Sequence, residues 1–352
     1  MEVSITNFKS IGKTQIKLGR VTIFLGPPAA GKSNLLEAIA LAGYFDRYVF
    51  YNDVEPLSRL ARVTDIRYLF GYGAKDIEIK LDAGKWRHLL QISICEQLDF
   101  DLNGITIPIN ECHSNCLFTY NGRQYGVDMS TVKDLLITHR EDILVRLYGF
   151  DRFRENIANS MVNGVEVETP YELLRDDGKN FGVVAMTQQE LLRNLNAELK
   201  ELSQAEIILL DDGRVALYDG HVATKPPESL MRIMYYLVGL SSAASFADLN
   251  GVKGRSIVLL EEPEGPPRLL YLMVKYIEKF SEVGYTVIST YNPILVSMLR
   301  DKFDATLYYV YRGDRGFTEV AELDKDKLAE ELTTSEDILF MRPHEVLRFA
   351  KH

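Results

Sequence analysis

The stretch Val21-Thr22-Ile23-Phe24-Leu25-Gly26-Pro27-Pro28-Ala29-Ala30-Gly31-Lys32-Ser33-Asn34-Leu35-Leu36 decides the fold. Val21 to Leu25 is a short apolar run rich in β-branched residues and reads as a buried strand. Asn34 to Phe45 carries apolar residues at Leu35, Leu36, Ile39 and Ala42, which is helical spacing. Between them stand a Gly, four residues, then Gly-Lys-Ser, the pattern of a phosphate-binding loop. Strand, glycine loop and helix in that order aim backbone N–H groups and the positive helix end at phosphates. In such a loop Lys32 neutralises the β- and γ-phosphates and the Ser33 hydroxyl holds Mg²⁺. An ordinary Gly-rich turn is the competing reading, and the correct placement of strand and helix disfavours it.

A phosphate loop of this kind works with an acid at the tip of a neighbouring buried strand. Ile257-Val258-Leu259-Leu260-Glu261-Glu262-Pro263-Glu264 supplies one. The apolar run suits a strand buried on both faces, and its C-terminal end is where ligands of open α/β sheets bind. Neighbouring residues of a strand point to opposite sides, so Glu261 and Glu262 take different tasks. The expectation is Glu261 in the magnesium-water shell and Glu262 as the general base that orients water. A further strand, Tyr285 to Thr290, ends at Tyr291-Asn292-Pro293. Tyr291 either projects toward a γ-phosphate or belongs to a plain strand-to-helix turn with Asn-Pro as breaker.

The chain has 352 residues, with 46% hydrophobic and 26% charged side chains, the balance of a globular protein. The formal charge of −10 argues against coating nucleic acid by bulk attraction, though not against a local basic groove. Arg140, Arg146, Arg152 and Arg154 cluster, and a solvated helix face is the expected reading. No apolar run is long enough to cross a bilayer, and the start lacks a signal-peptide pattern, so a cytoplasmic location without a membrane partner is expected. Cys112-His113-Ser114-Asn115-Cys116 with Cys95 offers metal-ligand side chains without a standard zinc spacing. Buried free thiols are the favoured reading, and a single disulfide stays open.

Along the chain, Val3 to Phe8, Thr14 to Leu18, Trp86 to Cys95, Ala305 to Tyr311 and Phe317 to Ala321 read as strands. Segment 76–127 reads as an antiparallel meander, with Asn103-Gly104 and Asn121-Gly122 as turns. Segment 128–205 reads as a helical lobe inserted in a single domain over 1–352. Its stripe is Val132, Leu135, Leu136, Ile143, Leu144 and Leu147; Asn156 to Lys179 reads as loops and Phe181 to Met186 as a short strand. Glu206 to Tyr218 reads as a hairpin, Leu230 to Leu240 and Leu269 to Phe280 as helices, and Ser241 to Arg255 as a loop. Lys325 to Leu332 and His344 to Ala350 read as helices.

Four stretches carry a family resemblance: Ile5-Thr6-Asn7-Phe8-Lys9-Ser10, Gly31 to Ile39, Leu260-Glu261-Glu262-Pro263-Glu264 and Ser289-Thr290-Tyr291-Asn292-Pro293. They resemble the ATPase head of the SMC/RecF/OLD branch of ABC-type ATPases, at both ends of the chain and in motif order. The resemblance implies an α/β P-loop NTPase fold with a mostly parallel core sheet, an antiparallel β-subdomain and a helical lobe. It implies two heads sandwiching two ATP molecules, hence a homodimer. It assigns ATP contacts to Lys9, Ser10, Gly26, Pro27, Pro28, Ala29, Ala30, Gly31, Lys32, Ser33 and Asn34. Mg²⁺ falls to Ser33, Glu261 and Gln188, the last as a glutamine-loop residue. Catalysis falls to Glu262 and Tyr291. DNA repair, chromosome maintenance or defence follows from the resemblance alone, with DNA or a partner protein as the coupled element.

The sequence also departs from the family. Pro28 and Ala29 stand where the loop usually has Asn and Gly. Pro226-Pro227-Glu228-Ser229 stands near the usual Leu-Ser-x-Gly signature, and Tyr291 replaces a His. These departures favour ATP binding over fast hydrolysis. They leave two alternatives: a non-hydrolysing nucleotide-dependent dimerisation switch, or a subunit completed by a partner head or nuclease.

Overall fold

The structure is a computed structural model describing residues 1–43, 60, 62, 66–71, 73–74, 76–84, 87–93, 117–120, 123–126, 144–163, 173–210, 214–331 and 334–351. Where the sequence suggested one domain, packing divides the chain into two compact units. One comprises Met1–Leu18, Pro28–Ile143 and Val310–Val320; the other comprises Gly19–Pro27, Leu144–Tyr309 and Ala321–His352. The division falls inside the phosphate-loop pattern, between Pro27 and Pro28.

The first unit is built on a six-stranded sheet of order β2-β1-β4-β5-β6-β7. Its strands are β1 (Glu2–Phe8), β2 (Ile11–Lys17), β4 (Asp76–Asp82), β5 (Arg87–Ser93), β6 (Leu117–Tyr120) and β7 (Arg123–Gly126), paired antiparallel throughout. Thus β1 pairs β2 on one side and β4 on the other, so the N-terminal hairpin and the strands of 76–127 form one sheet. Val3, Ile5, Ile77, Ile79 and Leu81 are fully buried, alternating as a half-covered sheet requires. Helix α1 (Lys32–Ala42) packs on β1 and β4, with Leu35, Leu36 and Ile39 buried.

The second unit carries a six-stranded sheet of order β15-β14-β3-β13-β12-β8. Its strands are β3 (Val21–Leu25), β8 (Leu144–Tyr148), β12 (Ser256–Glu261), β13 (Gly284–Ser289), β14 (Thr306–Arg312) and β15 (Thr318–Glu322). Strands β14, β3, β13, β12 and β8 run parallel. The tip of the β14–β15 segment, Val310–Val320, belongs to the first unit. Ile257, Val258, Leu259 and Leu260 have 0% exposure, the mark of a strand covered on both faces. Helices α2 (Phe150–Asn163), α3 (Phe181–Thr187), α4 (Gln189–Ser203), α5 (Glu228–Leu249), α6 (Pro267–Ser281) and α7 (Pro293–Lys302) accompany it. Strands β9 (Glu206–Leu209), β10 (Val215–Tyr218) and β11 (Ala223–Thr224) form a small antiparallel sheet. Three short helices follow: α8 (Lys325–Glu330), α9 (Ser335–Phe340) and α10 (Pro343–Val346).

Helix α5 organises the packing, touching α2, α3, α6, β8 and β12. Tyr235 on it meets Tyr148 and Tyr236 edge-on, each at 5.6 Å between ring centroids. An 18-residue window of α5 reaches a mean hydropathy of 1.2, but 83% of it is buried, as in a core helix.

Several expectations are corrected. Leu144 and Leu147 lie on strand β8, not on a helix; a short apolar run fits either period, and here parallel pairing with β12 decides. Arg146 and Arg152 do not lie on a solvated face. Arg146 is 3% exposed with Asp176 at 3.6 Å, and Arg152 is 5% exposed; only Arg154 of the described cluster lies open, paired with Glu228. Segment 128–205 is therefore more than a helical lobe, since its first described element belongs to the main sheet. Asn156 to Asn163 is helix α2, whose Phe150, Phe153, Ile157 and Met161 face inward; intervening asparagines, poor helix formers, hid the period. Phe181 to Met186 is helix α3, not a strand. Ser241 to Leu249 continues α5, because its small residues let the chain near Leu174 approach: Leu174 N donates to Ser242 Oγ at 3.1 Å. Cys95, Cys112, Cys116, Arg140 and Asn103-Gly104 lie outside the described residues.

Gly239 shows how closely α5 sits on β8: a Cβ there would lie 2.7 Å from the Tyr148 ring. Tyr148 is fully buried and cannot swing away. Gly239→Ala is expected to lower stability by about 1–3 kcal/mol, read as a shifted urea midpoint. An unchanged midpoint would mean that helix and strand are further apart than described.

Candidate functional site

In the first unit the loop is held by its carbonyls. Thr318 Oγ1 donates to Ala30 O at 3.0 Å, and Arg312 Nε donates to Ala29 O at 3.0 Å. Ser10 Oγ lies 2.7 Å from Thr318 Oγ1, and Asn34 Nδ2 donates to Ser10 Oγ at 2.7 Å. A hydroxyl has one hydrogen to give. Since Thr318 spends its own on Ala30, Ser10 donates to Thr318, and the chain runs Asn34 to Ser10 to Thr318 to Ala30. These bonds fix the carbonyls of Ala29 and Ala30 at the turn into α1.

The backbone turns repeatedly through the left-handed side of φ along the loop. Gly26 and Gly31 have φ of 142° and 109°, and Ala29 has φ of 58°. At Gly31 a Cβ would stand 2.1 Å from Thr318 Oγ1, so glycine is required there on two grounds. Lys32 opens α1 and is 4% exposed; Ser33 and Asn34 are half-buried. Lys9 and Ser10, expected at the nucleotide, have their side chains engaged within the protein. Lys9 Nζ pairs with Glu37 on α1, and Arg62 Nε donates to the same carboxylate at 2.7 Å. Glu37 has 0% exposure, so two cations compensate one buried carboxylate.

In the second unit the parallel register sends four chain exits to one edge of the sheet. Ser289 is in register with Phe24 and with Glu261, and Leu260 with Tyr148. Beyond those positions follow Gly26-Pro27, Thr290-Tyr291, Glu262 and Gly149. Glu262 N donates to Ser289 O at 2.8 Å and Glu262 turns at φ 48°, so its half-buried carboxylate leaves the strand direction. Asn292 caps α7, accepting from Ile294 N at 3.0 Å and Leu295 N at 3.2 Å. The capping duty thus falls on Asn292, not on Tyr291. Partial burial, and secondarily the charge of Glu262, push the Tyr291 phenol above its ordinary value. The group is therefore a neutral donor at neutral pH, and the two residues expected to act in catalysis are neighbours.

Glu261 is placed differently from its expected role. Arg152 grips both of its oxygens: Nε binds Oε2, and Nη2 donates to Oε1 at 2.7 Å. The two side chains are 5% and 9% exposed. Tyr236 Oη donates to Glu261 O at 2.6 Å, and burial raises that phenol, keeping it neutral. Glu261, expected in the magnesium-water shell, has both oxygens bonded to the Arg152 guanidinium. Gln188 does not follow a strand either. It lies between α3 and α4 and accepts from Ser241 Oγ at 2.6 Å. The strand beside the acid-bearing one is β8, and the segment after it supplies Arg152 rather than a glutamine. Thr318, Arg312, Glu37, Arg62 and Tyr236 carry no assigned role in the sequence reading, and Arg152 enters it only as one of a basic cluster. Arg152 alone carried a signal: it follows an apolar run that ends in glycine.

A glycine loop leaving a central parallel strand, acids at the tip of the next strand but one, and an antiparallel sheet beside the loop helix define an α/β P-loop fold of the ABC-type head class. No family model and no curated protein matches the sequence. Among solved structures the chain is similar to an SMC head bound to the C-winged helix domain of ScpA, at 16% identity and TM-score 0.54, covering 94% of this chain and 98% of that one. It is also similar to an SMC head domain with an extended coiled coil bound to the C-terminal domain of ScpA, derived from Pyrococcus furiosus. There the identity is 14% and the TM-score 0.52, over 94% of this chain and 98% of that one. The recombination mediator RecF with ATP aligns at 14% identity over 92% and 98%, with a TM-score of 0.43, a score from which no shared fold follows. The fold is that of an SMC-type ATPase head.

Ala29 occupies a left-handed position where the family pattern has glycine, a conformation costing an L-residue about 1–2 kcal/mol. Ala29→Gly is expected to stabilise the protein by about 1 kcal/mol, measured by urea unfolding. A destabilised variant would place Ala29 outside the left-handed region.

Proposed function

We propose that this chain binds ATP through Gly26–Ser33, closes as a homodimer around it and hydrolyses it slowly to reopen. The observation supporting this is the strand order β3-β13-β12 with its parallel register. It brings the start of the glycine loop, Tyr291 and the two acids to one edge of one sheet. Ligands of open parallel sheets bind at that edge. Lys32 supplies the charge for the phosphates, and Ser33 would hold a Mg²⁺ that arrives with the nucleotide. Glu262 is the general base, because its neighbour Glu261 is already paired with an arginine. The exposed start of α5, Pro227 to Ser229, is the surface that would meet the second copy's nucleotide. SMC heads bind domains of ScpA in two of the similar structures, which favours a partner protein here too. DNA repair, chromosome maintenance or defence is the setting this reading suggests.

The second reading, a dimerisation switch without turnover, is favoured by Tyr291. A phenol pushed above its ordinary value donates a hydrogen bond but does not take up a proton. Tyr291→His is expected to raise turnover and Tyr291→Phe to weaken preference for ATP over ADP. A silent Phe variant would remove Tyr291 from the site.

Lys32→Ala is expected to abolish binding of a fluorescent ATP analogue, and unchanged affinity would reduce Gly26–Ser33 to a turn. Glu262→Gln should retain binding and slow phosphate release by about 10²-fold, the scale for a positioned base. Turnover stopped by Glu261→Gln but not by Glu262→Gln would reverse the two roles. Light scattering of the Glu262→Gln variant with ATP tests the dimer.

A further inference from the structure

We propose that Arg152 is a resident cation on the strand-tip carboxylate Glu261, and that it keeps this carboxylate out of any metal shell. Nucleotide binding by this chain therefore depends on Mg²⁺ only through the phosphates and the loop hydroxyl. This rests on the nucleotide-binding reading above. The pairing itself is independent of that reading.

The pair is built, not incidental. Arg152 lies early in α2, whose start is anchored where Phe150 N donates to Tyr236 Oη at 3.2 Å and Arg152 N donates to Gly149 O at 3.1 Å. Tyr236 in turn holds the Glu261 carbonyl, so one phenol fixes both partners' backbones. Gly149 makes the space: a Cβ there would lie 2.8 Å from Glu261 Oε2 and 3.2 Å from Arg152 Cδ. The guanidinium fork matches a carboxylate with two parallel N–H···O bonds, which uses one oxygen per bond and leaves the pair electrically neutral. Both side chains are more than nine-tenths buried. A metal reaching Glu261 would have to compete with this buried, bidentate guanidinium.

The experiment compares wild type, Glu261→Gln, Arg152→Gln and the double variant. Two quantities are read: the melting temperature against Mg²⁺ concentration without nucleotide, and the ratio of ATP affinities in Mg²⁺ and in EDTA. Without nucleotide, Mg²⁺ should leave the wild-type melting temperature unchanged and raise that of Arg152→Gln, whose buried carboxylate has lost its guanidinium. The Mg²⁺-to-EDTA ratio should be the same in wild type and Glu261→Gln, and larger by about tenfold or more in Arg152→Gln. The double variant removes both charges of the pair together, so it reports even if Arg152→Gln does not fold; its ratio should equal that of wild type. A ratio that falls about tenfold in Glu261→Gln, or in the double variant, would put Glu261 in the metal's shell and overturn the proposal. If wild type binds no ATP, the nucleotide reading fails. The nucleotide-free arm still decides the pair: Mg²⁺ stabilisation of wild type that Glu261→Gln abolishes would overturn it.

Discussion

Parallel pairing of β3, β13 and β12 is the constraint from which the site follows. Parallel neighbours must leave a sheet at the same edge, and the register sets how far each reaches before turning. Phe24, Ser289 and Glu261 are level across three strands. The next residues must therefore turn away within one layer, and they are Leu25-Gly26, Thr290-Tyr291 and Glu262. No side chain needs to seek another across the molecule for these groups to gather. The sheet's own hydrogen bonds, with 0% exposed aliphatic residues on β12, do the placing.

Such placement strains the backbone at the turns. Ala29 and Glu262 are non-glycine residues in the left-handed region, and Asn7 and Lys9 share it in the turn between β1 and β2. Each conformation of this kind costs about 1–3 kcal/mol and persists only where surroundings over-determine it. At Ala29 the surroundings are Arg312 on its carbonyl and Thr318 on the next. At Glu262 they are the bond to Ser289 O and the buried Pro263 that follows. Strain is thus concentrated where chemistry is proposed, and the tethers come from segments far away in sequence.

That distance in sequence also explains what could be read in advance. The loop Gly26–Ser33, its strand and helix, and the acids after Leu260 were legible because each is a local pattern of spacing and residue type. Strands β4 and β5 and the hairpin β9–β10 were legible through alternation and apolar runs. Short apolar runs were not, because Leu144 to Tyr148 and Phe181 to Met186 satisfy both periods, and burial in one place favours a strand and in the other a helix. Thr318 could not have been found, since it is separated from Ser10 by 308 positions and lies at an unremarkable strand start. Mistaking β8 for a helix had a further cost. It placed Arg152 on a solvated face, while reading Phe181 to Met186 as a strand made Gln188 the glutamine-loop residue.

The two adjacent acids then differ by environment rather than by type. Glu261 is the last residue of a strand whose neighbour β8 ends in glycine, so an arginine can fold over it. Glu262 turns out at φ 48° on the side of Tyr291. A carboxylate held bidentate in a neutral, buried pair is a poor base, because taking a proton would break charge-assisted bonds on both oxygens. Glu262, half-buried and beside a neutral phenol, lies outside that pair. Arginine on Glu261 is thus the reason to favour Glu262 in the proposed role of general base.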